Sequence, residues 1–146
     1  MAAPRVPHWE AIIRIVRCLK AHPGHGLLYR ANGHLRVEAL TDSDWTGSPS
    51  DRKSTTGYCT LLGGNLITWK SKKLTIVSKS SAEAEYKTIA HTSCELMWIK
   101  YLLEELRFGV KLPVTMYCDD QATIHIASNP VFHERTKHIV ADIHLV

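Results

Sequence analysis

Cysteine is scarce in this sequence and scattered where it occurs. Cys18, Cys59, Cys94 and Cys118 lie far apart, with no CxxC pair among them. That spacing excludes a zinc ribbon and gives no sign of a secreted disulfide framework. The four read as small, reduced, mostly buried residues of an intracellular, cytoplasmic protein. Nine histidines are present, but none belongs to an HExxH pair, and His133, His138 and His144 have no cysteine beside them. Structural or nucleic-acid-facing roles suit those three better than a metal site. No apolar run approaches the roughly 20 residues of a membrane span, so no membrane partner is expected. A signal peptide is excluded because Arg14 and Arg17 interrupt the first apolar stretch. That stretch has a transit-peptide-like mix of residues, which a plain amphipathic helix explains equally well. Internal repeats and low-complexity tracts are also missing.

What remains has a globular balance. The chain has 146 residues, 45% hydrophobic and 22% charged, enough for one compact domain with a real core. Its net charge of +4 suits an anionic partner such as nucleic acid without requiring one.

Trp9, Ile12, Ile13, Val16 and Leu19 follow helical spacing and predict a first helix over 8–21. His22-Pro23-Gly24 stops it. The helix needs a surface to pack on, in this domain or upstream of it. Leu35–Asp42, Thr55–Leu62 and Leu66–Trp69 read as strands, the last two joined at a Gly63-Gly64-Asn65 hairpin signal. Short turns between them suggest an antiparallel meander. Residues 80–106 form the clearest helix, opening on a Ser80-Ser81-Ala82-Glu83 capping box. Tyr86, Ile89, Leu96, Ile99, Leu103 and Leu106 supply its apolar face. Pro113–Cys118 reads as a strand, 120–128 as a short helix, and 134–145 as a last helical segment. The order β-β-β-α-β-α, with one extra N-terminal helix, gives an α/β fold with helices packed on a mixed sheet.

Three acids fall at telling places. Asp42 ends the first strand, Asp119 ends the fourth, and Glu85 lies in the first turns of the long helix. If the first and fourth strands are neighbours, all three converge. Clustered carboxylates repel one another unless cations neutralise them, and Mg2+ is a hard cation suited to oxygen ligands. Glu85 shares a helix face with Ala82 and Ile89 and so points inward, whereas Glu83 pairs outward with Lys87. Spacing alone leaves Glu85 either a ligand or a buried acid satisfied by the protein. Asp42 and Asp44 also read as ordinary turn residues, and Asp119-Asp120 as acids at a helix N-terminus.

Taken together, the segments resemble the ribonuclease H region of copia-type long-terminal-repeat retrotransposons. The resemblance is carried by TDSDWTG (41–47), DRKSTTGY (51–58) and LLGGNLITWKSKK (61–73), followed in order by SKSSAEAEY (78–86), YCDDQATI (117–124) and NPVFHERTKHI (129–139). HWEAIIRIVRCLK and GLLY upstream look like the tail of a reverse transcriptase. The resemblance therefore implies a boundary, with residues 1–34 from the reverse transcriptase end and 35–146 forming the ribonuclease H-like domain. It implies hydrolysis of the RNA strand of RNA–DNA hybrids at two Mg2+ (or Mn2+) ions. Asp42, Glu85 and Asp119 are the catalytic and metal-binding residues it implies, with Asp44 and Asp120 as neighbours. The reverse transcriptase domain of the same polyprotein is the implied protein partner, and particle-associated or nuclear placement is compatible with it.

Two departures qualify the resemblance. Val140 stands where the family usually has an acid. The family's fourth metal-binding aspartate lies further on, after another strand, so this chain is expected to lack the last strand, the last helix and that aspartate. Asp142 does not align with it. A catalytically impaired remnant, at most a weak nucleic-acid binder, is the alternative to an active nuclease. A host-adapted binding module is a third, with no motif of its own.

Lys70, Lys72 and Lys73 after Trp69, Arg52 with Lys53, and Arg135 with Lys137 and His138 form basic groups. Each group can grip phosphates without reading sequence, or can simply be a solvated surface.

Overall fold

The structure is a computed structural model, and it describes residues 3–47, 50–109, 113–128 and 143–146. The expected first helix is α1 (Val6–Ala21), with Pro7 in its first turn and the His22-Pro23-Gly24 break just past its end. No residue of α1 is buried; Trp9 and Leu19 are exposed. Its apolar stripe is left on the surface of this domain. No helix among the described residues is long and apolar enough to cross a membrane.

The meander forms as expected, from β1 (Val37–Asp44), β2 (Thr55–Leu62) and β3 (Asn65–Lys73), paired antiparallel. The first strand starts and ends two residues later than the sequence suggests, so Asp42 lies within it. β3 runs on past Trp69, because Ser71, Lys72 and Lys73 find partners in Gly57, Thr56 and Thr55. Gly63 and Gly64 turn the hairpin with φ of +57° and +76°, which side chains rarely adopt. Gly63 also donates its N–H to the Arg36 carbonyl at 2.8 Å, and a Cβ there would collide with the His34 carbonyl. Gly63→Ala is therefore expected to lower stability by about 2 kcal/mol. Urea denaturation with an unchanged midpoint would refute that account of the turn.

The long helix is α2 (Ser81–Glu105), and Ser80 Oγ accepts the Glu83 N–H at 3.1 Å. The capping box closes one residue further out than expected, since the Glu83 carboxylate accepts from the Lys79 N–H at 2.7 Å. Glu83 also pairs with Lys87 at 2.8 Å, as its i, i+4 spacing implies. Ile89, Leu96, Ile99 and Leu103 are buried on the inward face, interleaved with Thr88, Thr92 and Ser93. Those hydroxyls donate to carbonyls one turn back, which removes the cost of burying them. Leu106, expected on this face, is exposed, because the helix has ended and Arg107 turns the chain away with φ +62°.

β4 (Val114–Cys118) lies parallel to β1 after the α2 crossover, and α3 (Gln121–Ser128) follows it. A short β5 (Ile143–Leu145) pairs parallel with β4 and completes a sheet ordered β3-β2-β1-β4-β5. This corrects two expectations: a fifth strand is added to the β-β-β-α-β-α order, and the predicted last helix does not reach Leu145. The physical reason is the open edge of β4, whose backbone groups need partners. Cys118 N–H donates to the Val146 carbonyl at 3.0 Å, and Val146 N–H to the Met116 carbonyl at 2.9 Å. The rest of that expected helix, with Arg135, Lys137, Val140 and Asp142, lies outside the described residues.

Val37, Ala39, Val114, Met116 and Cys118 meet Ile89, Leu96, Ile99 and Leu103 in one core between the sheet and α2. The result is an α/β fold built on a mixed sheet, as the element order implies. The cysteines are less buried than expected: Cys18 and Cys94 are exposed, Cys59 is half-buried, and Cys118 alone is buried. Cys18 sits on the uncovered α1, and Cys94 on the part of α2 that faces away from the core.

Candidate metal centre

Strand pairing brings the expected acids to one end of the sheet. In the parallel register Thr41 lies opposite Cys118, so Asp42 and Asp119 come next on adjacent strands. Both are exposed. Asp42 Oδ1 accepts the Ser43 N–H at 2.8 Å, which fixes one oxygen against the strand. The start of α2 is tied to this end as well, because Trp45 Nε1 donates to the Ser78 carbonyl at 3.1 Å.

Glu85 completes the group from below. It is 5% exposed, and its Oε2 has no hydrogen-bond partner among the described residues. Burial pushes its carboxyl up to about 7, helped by the charges of Asp42 and Asp119, while a hydrogen bond from the Ser43 backbone pulls the other way. A buried acid with an orphaned oxygen, facing two more acids, lacks a positive partner among the described residues. Oxygens of Glu85 and Asp119 and the Cys118 sulfur all lie within 4.8 Å of one another. Asp42 stands outside that tight group yet is the strongest charge acting on Glu85. The donor set of Glu85, Cys118 and Asp119, with the Asp42 charge beside it, is compatible with a divalent cation.

Cys118 is the member that sequence reasoning missed. The Val114, Met116, Cys118 alternation already turned it inward, next to Asp119. Burial raises its thiol pKa, and the neighbouring carboxylates add to that. Asp120 separates from the group: its carboxylate accepts from the Ala122 N–H at 2.9 Å and the Thr123 hydroxyl at 2.7 Å. The Thr123 bond is the main cause holding Asp120 below the usual carboxylate range. The helix-N-terminus reading thus belongs to Asp120, not to Asp119.

The basic residues divide into two places. Lys70 and Lys72 are exposed on β3 and line a cleft of about 260 Å³ with Thr56, Tyr58, His91 and Glu95. Tyr58 donates to Glu95 Oε2 at 3.0 Å, and burial together with that carboxylate raises the phenol to about 12. Arg52 and Lys53 sit in the β1–β2 connection, Arg52 exposed and Lys53 half-buried. Lys73 is held by Asp51 at 2.9 Å.

Fold and site define an α/β domain with a carboxylate centre suited to a divalent cation. Relatives then place it more narrowly. The retrovirus-related Pol polyproteins from transposons RE2 and RE1 of Arabidopsis thaliana are each 42% identical to it over 146 residues, all of this chain and 10% of each relative. That from transposon TNT 1-94 of Nicotiana tabacum is 37% identical over 98% of this chain and 11% of its own length. Over nearly its whole length the chain is similar to retrovirus-related Pol polyproteins of transposons, and it spans about a tenth of their length. No family model matches it. Among solved structures, the catalytic domain of human Endonuclease V is similar over 78% of this chain and 47% of its own, at 16% identity and a TM-score of 0.37.

Proposed function

We propose that residues 35–146 are the ribonuclease H part of a transposon Pol polyprotein, and that residues 1–34 continue from its reverse transcriptase. The substrate is an RNA–DNA hybrid, and the RNA strand is the one hydrolysed. The observation that carries this reading is the buried Glu85 carboxylate, its Oε2 without a hydrogen-bond partner among the described residues, facing Asp42 and Asp119 on one end of the sheet. Bound Mg2+ or Mn2+ ions supply a polarised phosphate and an activated water in such chemistry. The protein's part is to hold carboxylate oxygens where cations and phosphate meet. Asp42 and Asp119 offer theirs at the surface, and Glu85 offers its own from the buried side.

The test is cleavage of a labelled RNA–DNA hybrid, with Mg2+ or Mn2+ added to the folded chain. RNA-strand products, absent with chelator and absent from an RNA duplex, are expected. Equal cleavage of both strands would overturn the reading. A chain shown by circular dichroism to be folded, yet inert, would also overturn it and favour the impaired remnant.

Lys70 and Lys72 serve as phosphate contacts in this proposal. Replacing both by alanine should weaken hybrid binding at low salt and flatten the plot of log affinity against log salt by about one to two units. An unchanged slope would remove them from the interface.

A further inference from the structure

A sulfur atom stands inside the carboxylate centre. Cys118 is 8% exposed, and its Sγ shares a 4.8 Å span with oxygens of Glu85 and Asp119. The second observation is Glu85 itself, 5% exposed, with Oε2 lacking a hydrogen-bond partner among the described residues. Among the described residues no second group of three such donors occurs. Mg2+ gains little from a thiol, because it takes oxygen donors in octahedral array. Zn2+ and softer cations gain much, since they bind thiolate together with carboxylate in tetrahedral sites.

We propose that Glu85, Cys118 and Asp119 form a site for a thiophilic divalent cation of the Zn2+ class, which displaces Mg2+ and holds the centre inactive. Binding forms a metal–sulfur bond as the Cys118 S–H proton leaves to solvent; no electron is transferred. Water fills the fourth position. The inhibitory consequence rests on the nuclease reading above, whereas the binding itself does not. Cellular zinc would then act on this centre through one residue that the hydrolytic chemistry does not need.

The probe is Cd2+, whose bond to thiolate gives an ultraviolet charge-transfer band. With Cys18, Cys59 and Cys94 all changed to serine, a band saturating at one Cd2+ per chain is expected. Adding Cys118→Ser should abolish it and lower Zn2+ affinity by at least about tenfold. X-ray absorption of the unmutated, Zn2+-loaded chain needs no variant, and one sulfur among lighter scatterers is expected in the first coordination shell. A band that survives Cys118→Ser, or a shell of oxygen and nitrogen alone, overturns the proposal. Cleavage with Mg2+ but no Cd2+ band sinks the thiol site alone. A band without cleavage sinks the nuclease reading and leaves the thiol site standing.

Discussion

Glu85→Gln should abolish hydrolysis of an RNA–DNA hybrid, with kcat falling on the order of a thousandfold. Glutamine keeps the size and shape of the side chain but removes its charge. The helix should survive, because the core around Ile89, Leu96 and Ile99 is untouched. Loss should appear in kcat more than in KM, since the proposed function assigns hybrid affinity to basic residues elsewhere on the surface. The charge removed is the one that the buried site has least means to replace. Its Oε2 has no hydrogen-bond partner among the described residues, and its strongest charged neighbours are two acids. Steady-state rates with Mg2+, measured beside a circular dichroism spectrum, check this. Cleavage that persists at a comparable rate would mean the centre is elsewhere.

Much of this candidate site is legible in the sequence. The i−3 and i+4 relation of Glu85 to Ala82 and Ile89 points it inward, and it is 5% exposed. Helical periodicity is a local property, so the sequence carries it directly. The element order allows the first and fourth strands to be neighbours, and the parallel Thr41–Cys118 register shows that they are. What escaped notice depends on long-range pairing. β5 spans three residues, too few for alternation to show, and it exists because the β4 edge lies open to it. Cysteine spacing along the chain does not reveal Cys118, because Glu85 reaches it from α2. The Asp119-Asp120 ambiguity was a tie until the Thr123 hydroxyl assigned the capping role to Asp120.

Free of divalent cation, the folded chain should lose stability as pH rises from about 4.5 to about 7. Glu85 titrates at about 7 in the folded state, against an ordinary 4.5. Between those values the folded protein holds a proton that the unfolded chain has released. Its contribution is therefore fully present below the lower value and gone above the upper one. The loss reaches up to about 3 kcal/mol. Glu83 and Asp120 are shifted the other way, so their contributions are lost only at more acid pH, outside this window. Glu85→Gln removes the titrating group and should flatten the curve, leaving the variant more stable than the parent near pH 8. Mg2+ should raise the parent's melting temperature near pH 8, where Glu85 is charged, and do little near pH 5. Melts of both proteins at the two pH values, with and without Mg2+, separate these effects. Parallel pH profiles for parent and variant would show that Glu85 is not the group the fold strains to hold. A Mg2+ response retained in full by Glu85→Gln would place the cation away from it. Opposite signs of the substitution, loss of activity with gain of metal-free stability, are what distinguish a ligand awaiting its cation from an acid that merely helps the helix pack.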